Sequence, residues 1–312
     1  MSGIPLLAGR DVERAVPPAR ALEAVREAFV RYARGEWAMQ PKLYVANYPA
    51  GDFRAMPALG GGHALLKWVT SFPGNPARGL PTVTGLVLVS DAETGMPEAV
   101  LDAGAVTAMR TGAAAAVACD VLGRPGAAAA AVVGVGVNGE AAARMLAETG
   151  REPLLWDLDE ERARAVAARV GGRVVGRDEA LAADLLVTVT PGKVVLLDEG
   201  ALSHGQHVSL MGADGPGKAE IAVAELARGR LFCDDWEQAS HGGELAAAVE
   251  AGVVRREDVT ALGDVLAGAA EGRRSDDEIT LFDSTGLAIQ DLAIALAALE
   301  RLDELDVPRF EP

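Results

Sequence analysis

The sequence lacks long hydrophobic runs, and it contains only two cysteines. No run of apolar letters in its 312 residues approaches the roughly 18 residues that a membrane-spanning helix needs. Residues 1–20 carry acidic and basic side chains and prolines, without the apolar stretch of a signal peptide. Cys119 and Cys233 are far apart and belong to no C-x-x-C motif, so we expect buried free thiols. We therefore expect a soluble, cytoplasmic protein that makes no membrane contact.

Basic residues are outnumbered by acidic ones, 29 against 45, so the net charge is −16. Proteins that bind nucleic acid present a basic face, so we expect no nucleic-acid partner. An anionic ligand must then be held by a local group of cations and backbone donors. Of the 29 basic residues only four are lysine, namely Lys42, Lys67, Lys193 and Lys218. A lysine that is kept among so many arginines suggests a position that needs a compact ammonium. The alternative is that the four lysines stand at these positions by chance.

The first third of the sequence predicts a helix followed by a meander of strands. Apolar residues at helical spacing predict a helix from Pro18 to Gly35. Strand-like runs follow, separated by turns rich in proline and glycine: Lys42–Asn47, His63–Thr70 and Thr82–Ser90. An alanine-rich helix over Val106–Leu122 closes this region.

From Ala127 onward, strands and helices alternate. The expected strands are Ala128–Val133, Pro153–Asp157, Arg173–Val175, Leu185–Thr190, His207–Met211 and Leu231–Asp234. The expected helices are Gly139–Glu148, Glu160–Val170, Ala219–Arg228 and Gly243–Ala251. This alternation predicts an α/β fold, a doubly wound Rossmann domain with a mostly parallel sheet and helices on both faces.

A last helix, Gly286–Leu305, follows the end of the alternating region. Its leucines are available for burial, and we expect it to pack back on the first part of the chain. The expected organisation is a discontinuous α+β substrate-binding and dimerisation domain, residues 1–122 with 287–312, and a dinucleotide-binding domain, residues 123–286.

A glycine-rich loop with the pattern G-x-G-x-x-G joins a predicted strand to a predicted helix at Gly134, Gly136 and Gly139. Such a loop allows a tight turn, lets the backbone approach a pyrophosphate and aims a helix N-terminus at it. The next strand ends at Asp157, 23 residues after Gly134, which suits an acid that binds a ribose. The alternatives are a structural glycine turn with a solvated aspartate, or a methyltransferase with a similar loop.

The residues after Asp157 indicate which dinucleotide binds. Asp157 is followed by Leu158-Asp-Glu-Glu161, and no basic residue stands there to neutralise a 2′-phosphate. The additional acids would repel one. We therefore expect NAD as the cofactor rather than NADP.

Several further segments combine reactive residues with turn residues in a fixed order around the glycine-rich loop. They are Met56-Pro-Ala, Lys67-Trp-Val, Gly79-Leu-Pro-Thr-Val, Thr107-Ala-Met-Arg-Thr111, Met211-Gly-Ala-Asp-Gly-Pro-Gly-Lys218 and Ile279-Thr-Leu-Phe-Asp-Ser-Thr-Gly286. From about Gln40 to Ala298 this chain resembles the ornithine cyclodeaminase/mu-crystallin family, which includes archaeal-type alanine dehydrogenase and cyclic-imine reductases. The resemblance implies a homodimer and the two-domain organisation given above.

The resemblance also implies roles for individual residues. Lys67 and Arg110 match cations that bind a substrate carboxylate, and Asp214 matches the acid that acts on the substrate amine or on water. Gly286 belongs to the implied substrate site. The implied cofactor residues are Thr82, Arg110, Gly134, Gly136, Val137, Asn138, Gly139, Asp157, Thr190, Ser209, Leu210, Met211, Lys218 and Thr285.

Two positions depart from the family pattern. Lys42 stands where an arginine usually forms a second clamp on the carboxylate, and an ammonium does not reproduce a bidentate fork. Asn138 stands where glutamine is common. Because Lys42 replaces this arginine, the substrate specificity of family members is a weak guide to that of this chain.

Each assignment has a structural alternative. Lys67 lies in an apolar run, where a buried cation needs an anionic partner, but a lysine that extends to the surface would fit the same pattern. Arg110 could form a structural ion pair, and Asp214 could simply form a turn. His204 and His207 have no third ligand at metal-binding spacing, so we expect no metal site.

The function that follows is hydride transfer between Cα of a small L-amino acid, such as ornithine or alanine, and C4 of NAD. The resulting imine could cyclise with loss of ammonia, which is lyase chemistry, or hydrolyse to a 2-oxo acid. In reverse, the site could reduce a cyclic imine such as pyrroline- or piperidine-2-carboxylate. The resemblance leaves these three open, and it also allows a non-catalytic, mu-crystallin-like dinucleotide-binding protein.

Overall fold

The computed structural model describes residues 3–215 and 217–311. The chain divides into two compact units, which we call unit 1, Met1–Arg110 with Leu287–Pro312, and unit 2, Thr111–Gly286. In this division the segment Leu287–Pro312 is grouped with the first part of the chain. The expected boundary at residue 122 is the end of a long helix, whereas the division lies within that helix, after Arg110.

The described residues form strands that we number in chain order. They are β1 (Ile4–Leu7), β2 (Ala38–Met39), β3 (Leu43–Asn47), β4 (Gly51–Gly60), β5 (His63–Ser71), β6 (Val83–Asp91), β7 (Pro97–Asp102), β8 (Ala129–Val133), β9 (Glu152–Trp156), β10 (Arg173–Val174), β11 (Leu185–Thr188), β12 (His207–Leu210), β13 (Arg230–Cys233), β14 (Val259–Ala261), β15 (Thr280–Asp283) and β16 (Arg309–Phe310).

The helices are numbered in the same way. They are α1 (Gly9–Ala15), α2 (Pro18–Ala33), α3 (Ala103–Leu122), α4 (Val137–Glu148), α5 (Glu160–Val170), α6 (Arg177–Leu181), α7 (Val223–Leu226), α8 (Trp236–Gly242), α9 (Ala246–Glu250), α10 (Leu262–Leu266) and α11 (Ala288–Leu299).

Unit 1 is built on a mixed sheet in the order β16-β1-β7-β6-β5-β4-β2, with β3 paired to β4. Neighbouring strands are antiparallel except for β1 and β7. Helix α11 packs against α2, β4 and β5. In β5 the side chains of Leu65, Lys67 and Val69 are buried, whereas those of Leu66 and Trp68 are exposed. This alternation is the period of two that a strand imposes, and it places Lys67 on the buried face.

The predicted meander of unit 1 is present, but strand β4, which pairs with β2, β3 and β5, was missed. Strand β4 occupies a segment that the sequence suggested to be a turn and a short motif. The reason is local, because Asp52, Arg54 and Pro57 interrupt the apolar alternation by which strands are recognised. The final helix is also shorter than predicted: α11 ends at Leu299.

Unit 2 contains a fully parallel sheet in the order β10-β9-β8-β11-β12-β15-β13-β14. Its first five strands follow the Rossmann order, in which β8 and β11 flank the point where the chain reverses direction across the sheet. Apolar residues of these strands and of the flanking helices form the core of the unit. The prediction of an α/β fold with a Rossmann domain is confirmed.

The predicted helix Ala219–Arg228 is mostly absent, since only α7 forms there. The backbone just before α7 pairs with another segment instead of forming a helix. The N–H groups of Leu196 and Leu197 donate to the carbonyl of Glu220, and Leu197 and Ile221 form an isolated parallel β-bridge. Residues committed to this pairing cannot join a helix. The predicted helix Gly243–Ala251 likewise shortens to α9, because Gly243 ends α8.

Helix α3 is long enough and apolar enough to cross a membrane by length and composition, with a mean hydropathy of 1.3. Most of it is buried inside the structure. The expectation from the sequence concerned uninterrupted apolar runs, and Arg110 and Asp120 interrupt the apolar residues of this helix. The two cysteines are free and buried, as expected.

Candidate active site

The glycine-rich loop follows β8 in unit 2, and its backbone requires glycine at two of its three positions. Gly134 has φ of +89°, and a Cβ atom there would lie 2.8 Å from the carbonyl oxygen of Val189. A Cβ atom on Gly139 would lie 1.9 Å from the carbonyl oxygen of Gly134. The first and third glycines therefore let the turn close and let α4 pack on the sheet.

The second glycine has a different environment. No atom lies within 4 Å of a Cβ atom built on Gly136, so the space in front of its backbone is open. Gly136 is also the N-cap of α4, and no side chain caps this helix. The uncapped N–H groups of the first turn, including those of Asn138 and Gly139, are available to an anion at the positive end of the helix. The loop can thus accept a pyrophosphate.

Asp157 directly follows β9, the strand adjacent to the loop. Its Oδ2 accepts a hydrogen bond of 2.7 Å from the backbone N–H of Val135, within the loop itself. Its Oδ1 accepts from the N–H of Asp159 at 2.9 Å and from Arg162 at 2.7 Å. Burial raises the pKa of Asp157, but these hydrogen bonds outweigh burial and hold the pKa below its usual value. The carboxylate is therefore charged and oriented beside the loop.

Arg162 corrects the prediction that nothing basic stands near Asp157. It lies five residues later on α5, and the turn of the chain returns its guanidinium to the carboxylate. Arg162 lies just beyond Leu158–Glu161, the four residues on which the prediction rested. The side chain of Arg162 is half exposed.

The ends of β11 and β12 are connected by a residue that the sequence analysis did not identify, Glu220. Its Oε1 accepts from the N–H and the hydroxyl of Thr190, at 2.8 and 2.6 Å. Its Oε2 accepts from the hydroxyl of Thr188 at 2.6 Å and from the N–H of Gly212 at 3.0 Å. Glu220 is fully buried, and burial raises its pKa against these hydrogen bonds. One carboxyl group thus holds Thr190 and the start of the loop that carries Asp214.

A second buried carboxyl group supports the first. Both oxygens of Glu244 accept from the N–H of Glu220, at 2.9 and 3.0 Å. Burial, together with the charges of Glu220 and Asp283, raises the pKa of Glu244 to about 9. Glu244 is therefore protonated at neutral pH, so the pair carries at most one charge.

Asp214 and Lys218 form an ion pair in the loop after β12, and each is about one-third exposed. Two predicted site residues are thus brought together. Pro216, between them, lies outside the described residues. Met211 and Leu210 are buried at the end of β12.

Other predicted cofactor residues direct their side chains into the interior of unit 2. The Ser209 hydroxyl lies 2.9 Å from His207 Nε2 and 3.9 Å from Cys119 Sγ. Burial lowers the pKa of His207 to about 3, so this histidine is neutral. The hydroxyl of Thr285 and the N–H of Gly286 both donate to Asp234. These residues shape the strand ends through internal hydrogen bonds.

In unit 1 the side chain of Lys67 is 1% exposed, so it does not extend to the surface. Its ammonium donates to Asp291 Oδ1 at 2.8 Å, and Arg110 Nε lies 3.5 Å from the same oxygen. Burial lowers the pKa of Lys67 to about 8, while the charge of Asp291 raises it and those of Arg110 and Arg54 lower it. The anion that a buried lysine requires is therefore supplied by the protein.

A second ion pair lies close to this group. Arg54 donates to both oxygens of Asp52, at 2.6 and 3.3 Å, and its guanidinium lies over the ring of Tyr44. Lys67, Arg110 and Arg54 are three buried or nearly buried cations, and the carboxylates of Asp291 and Asp52 lie among them. Buried cations are suited to bind a carboxylate, because an anion offsets the cost of burying their charge.

Three members of this group, Asp52, Arg54 and Asp291, were not predicted from the sequence. A signal existed for Asp291, which is the only charged residue of α11, a helix whose other residues are apolar except for Gln290. Lys42 precedes β3 and is half-buried, and Thr82 precedes β6 and is also half-buried.

A parallel doubly wound sheet, a glycine-rich loop at its crossover point and an acid after the next strand define a dinucleotide-binding protein. The ornithine cyclodeaminase/mu-crystallin family model matches residues 6–305, and the chain belongs to this family. Alanine dehydrogenase from Archaeoglobus fulgidus is 42% identical over 304 residues, covering 95% of this chain and 94% of the relative.

Solved structures agree with this membership. An archaeal alanine dehydrogenase dimer with bound NAD superposes with a TM-score of 0.93 at 40% identity, covering 99% of each chain. A Δ(1)-pyrroline-2-carboxylate reductase from Thermococcus litoralis, in complex with NADH and L-proline, gives a TM-score of 0.92 at 26% identity. It covers 98% of this chain and all of the other.

Proposed function

We propose that the protein is an NAD-dependent oxidoreductase that transfers a hydride between Cα of a small L-amino acid, with alanine as the first candidate, and C4 of the nicotinamide. The observation that carries the proposal is the buried cation group of unit 1, because a protein that only bound a dinucleotide would not need it. Its ammonium and guanidinium groups can bind a carboxylate through charge-assisted hydrogen bonds. The similarity to an alanine dehydrogenase supports the choice of amino acid.

The cofactor is assigned to the loop of unit 2. The open space at Gly136 and the uncapped start of α4 fit a pyrophosphate, and the charged carboxylate of Asp157 fits the two hydroxyls of an adenosine ribose. NAD, when bound, supplies a nicotinamide that accepts or returns the hydride. A negative charge at Asp157 opposes a 2′-phosphate, which favours NAD over NADP. Thr190, Met211 and Lys218 are assigned to the remainder of the cofactor site.

The substrate is assigned to four side chains. Lys67 and Arg110 bind its carboxylate, and Lys42 assists in place of the arginine that is usual in the family. Asp214 accepts a proton from the amine, which leaves an imine when the hydride departs. The imine takes up water and releases ammonia, and the product is a 2-oxo acid. Reduction of a cyclic imine acid is the second candidate, supported by the pyrroline-2-carboxylate reductase structure.

A homodimer is part of the proposal. On the exposed face of the unit 1 sheet, large apolar side chains stand in register, with Trp68 opposite Leu86 and Leu66 opposite Pro57. Trp68, Leu86, Leu66 and Leu59 are each at least 40% exposed. An apolar sheet face of this kind is typical of a surface that another chain covers. The related alanine dehydrogenase structure is a dimer.

The test is an absorbance assay of the reduced nicotinamide, run in both directions. L-alanine, L-ornithine and L-lysine are offered with NAD, and pyruvate with ammonia or five- and six-membered cyclic imine acids are offered with NADH. We expect turnover of alanine and of pyruvate with ammonia. Preferential reduction of a cyclic imine would move the assignment to the second candidate, and NAD binding without turnover of any compound would contradict both.

A further inference from the structure

Asp291 contacts both cations that we assign to the substrate carboxylate. Its Oδ1 accepts a hydrogen bond from Lys67 Nζ at 2.8 Å and lies 3.5 Å from Arg110 Nε. The side chain of Asp291 has no exposed surface. A single buried oxygen therefore fixes the separation of two cations that would otherwise repel each other.

The contacts of Asp291 are not those of a saturated structural ion pair. Among the described residues its Oδ2 has no hydrogen-bond partner, although this oxygen is buried. Leaving such an atom without a donor costs free energy, and well-packed apolar side chains are often as stable as a buried ion pair. A contribution to folding alone is thus a weak reason for an acid at this position in the apolar helix α11.

The surroundings of Lys67 show what the acid does. In the sheet Lys67 is flanked by Met56 and Val87, and the charged groups that act on it are Asp291, Arg110 and Arg54. Burial and the two guanidinium groups favour the neutral amine, and Asp291 alone favours the ammonium. Burial has already lowered the pKa of Lys67 to about 8, so loss of Asp291 would deprotonate it near neutral pH. A neutral amine does not bind a carboxylate as an ion pair.

We propose that Asp291 is a positioning residue, which keeps Lys67 charged and holds Lys67 and Arg110 together as the receptor for the substrate carboxylate. This inference rests on the proposed function only for the identity of the ligand. It assigns to Asp291 no contact with the substrate and no proton transfer to it.

The first test needs no substrate, since it follows thermal unfolding of the parent and Asp291→Asn between pH 7 and pH 10. The pKa of Lys67 is about 8 in the folded protein against its usual 10.5, so burial of the charged ammonium lowers the free energy of unfolding below pH 8. This destabilisation disappears as the pH rises toward 10.5, because the ammonium then loses its proton in the unfolded state as well. Asp291→Asn lowers the folded pKa further and increases the opposition at pH 7. The variant should therefore melt well below the parent at pH 7 and approach it at pH 10.

Two further variants complete this test. Glu300→Gln removes the exposed ion pair with Arg20 just after the end of the same helix, and its small effect should not change over this pH range. Lys67→Met combined with Asp291→Asn removes both buried charges, and it should melt closer to the parent than Asp291→Asn does at pH 7. This comparison holds even if Asp291→Asn alone fails to fold.

The second test is steady-state kinetics with L-alanine and a direct NAD titration. Asp291→Asn should raise KM at pH 7 by about tenfold or more, with a smaller change in kcat and with NAD affinity near that of the parent. The upper pH limit of kcat/KM should move to lower pH than in the parent.

The outcomes separate the inference from the proposed function. A difference in melting temperature that stays constant from pH 7 to pH 10, or an unchanged KM and pH profile, would overturn the role of Asp291. If the parent binds NAD but oxidises none of the amino acids, the proposed function fails, while the melts still decide whether Asp291 keeps Lys67 charged.

Discussion

Arg162 donates a hydrogen bond to Asp157 across 2.7 Å, so the acid assigned to the cofactor ribose is paired with a cation. Because the pairing holds Arg162 beside the place where a 2′-phosphate would lie, removal of the acid should release a phosphate-binding group. The preference for NAD then depends on the pair and not on Asp157 alone.

The corresponding prediction concerns Asp157→Ser. NAD affinity should fall, and NADP affinity should rise by about tenfold, because a freed guanidinium binds phosphate with charge-assisted hydrogen bonds. Asp157→Ser with Arg162→Ala should lose the gain in NADP affinity, and Arg162→Ala alone should change NAD affinity little. Fluorescence titration of both cofactors measures this. If Asp157→Ser and Asp157→Ser with Arg162→Ala bind NADP with equal affinity, Arg162 does not bind the 2′-phosphate.

The buried pair Glu220 and Glu244 gives a prediction about pH. The pKa of Glu244 is about 9 when folded and near 4.5 when unfolded, so the folded state holds the extra proton between these values. The stabilisation of the folded state by protonated Glu244 is therefore fully present below pH 4.5, and it is lost as the pH rises toward 9. Glu244→Gln mimics the protonated acid, and it should match the parent at pH 5 and melt at a higher temperature at pH 9.

Thermal unfolding monitored by circular dichroism at both pH values checks this prediction. Glu225→Gln is the control, since Glu225 is buried and hydrogen-bonded to the N–H groups of Gly200 and Leu202 but is paired with Arg228. It should destabilise the protein at both pH values. A melting temperature of Glu244→Gln that falls in parallel with the parent from pH 5 to pH 9 would contradict the assigned protonation.

The ion pair of Asp214 and Lys218 separates catalysis from cofactor binding. Asp214→Asn preserves the shape of the side chain but cannot exchange a proton, so kcat for alanine should fall by roughly 10²–10⁴-fold while NAD affinity stays nearly constant. Lys218→Gln should instead weaken NAD binding, with a smaller effect on kcat at saturating cofactor. Steady-state kinetics beside NAD titration measures both. Loss of NAD binding in Asp214→Asn would make Asp214 a cofactor residue.

The apolar face of the unit 1 sheet predicts the state of assembly. Trp68→Glu combined with Leu86→Glu places two charges on neighbouring strands of the proposed interface, and the variant should sediment as a monomer at micromolar concentration. Val253→Glu, at an exposed apolar position in unit 2, is the control and should sediment like the parent. A parent protein that is a folded monomer would rule out the dimer.

Much of the fold could be predicted because its signals are local. The loop at Gly134, Gly136 and Gly139 and the acid at Asp157 follow from spacing, since a tight turn and a strand end constrain which residues fit. The first residues of α2, α5 and β5 could likewise be predicted, because the apolar periodicity of each element begins there. Strand β4 was missed because Asp52 and Arg54 occupy positions on its buried face, where they pair with each other and interrupt the apolar alternation.

The candidate site shows the same division. Composition and order of residues alone determined that the chain carries a dinucleotide loop, that Lys67 needs an anionic partner, and that the family is that of the ornithine cyclodeaminases. Only the tertiary structure decided that the partner is Asp291, 224 residues away, and that Glu220 joins the ends of β11 and β12. The physical reason is that burial and charge compensation depend on which distant segments meet in space, whereas turns and periodicity depend on neighbours along the chain.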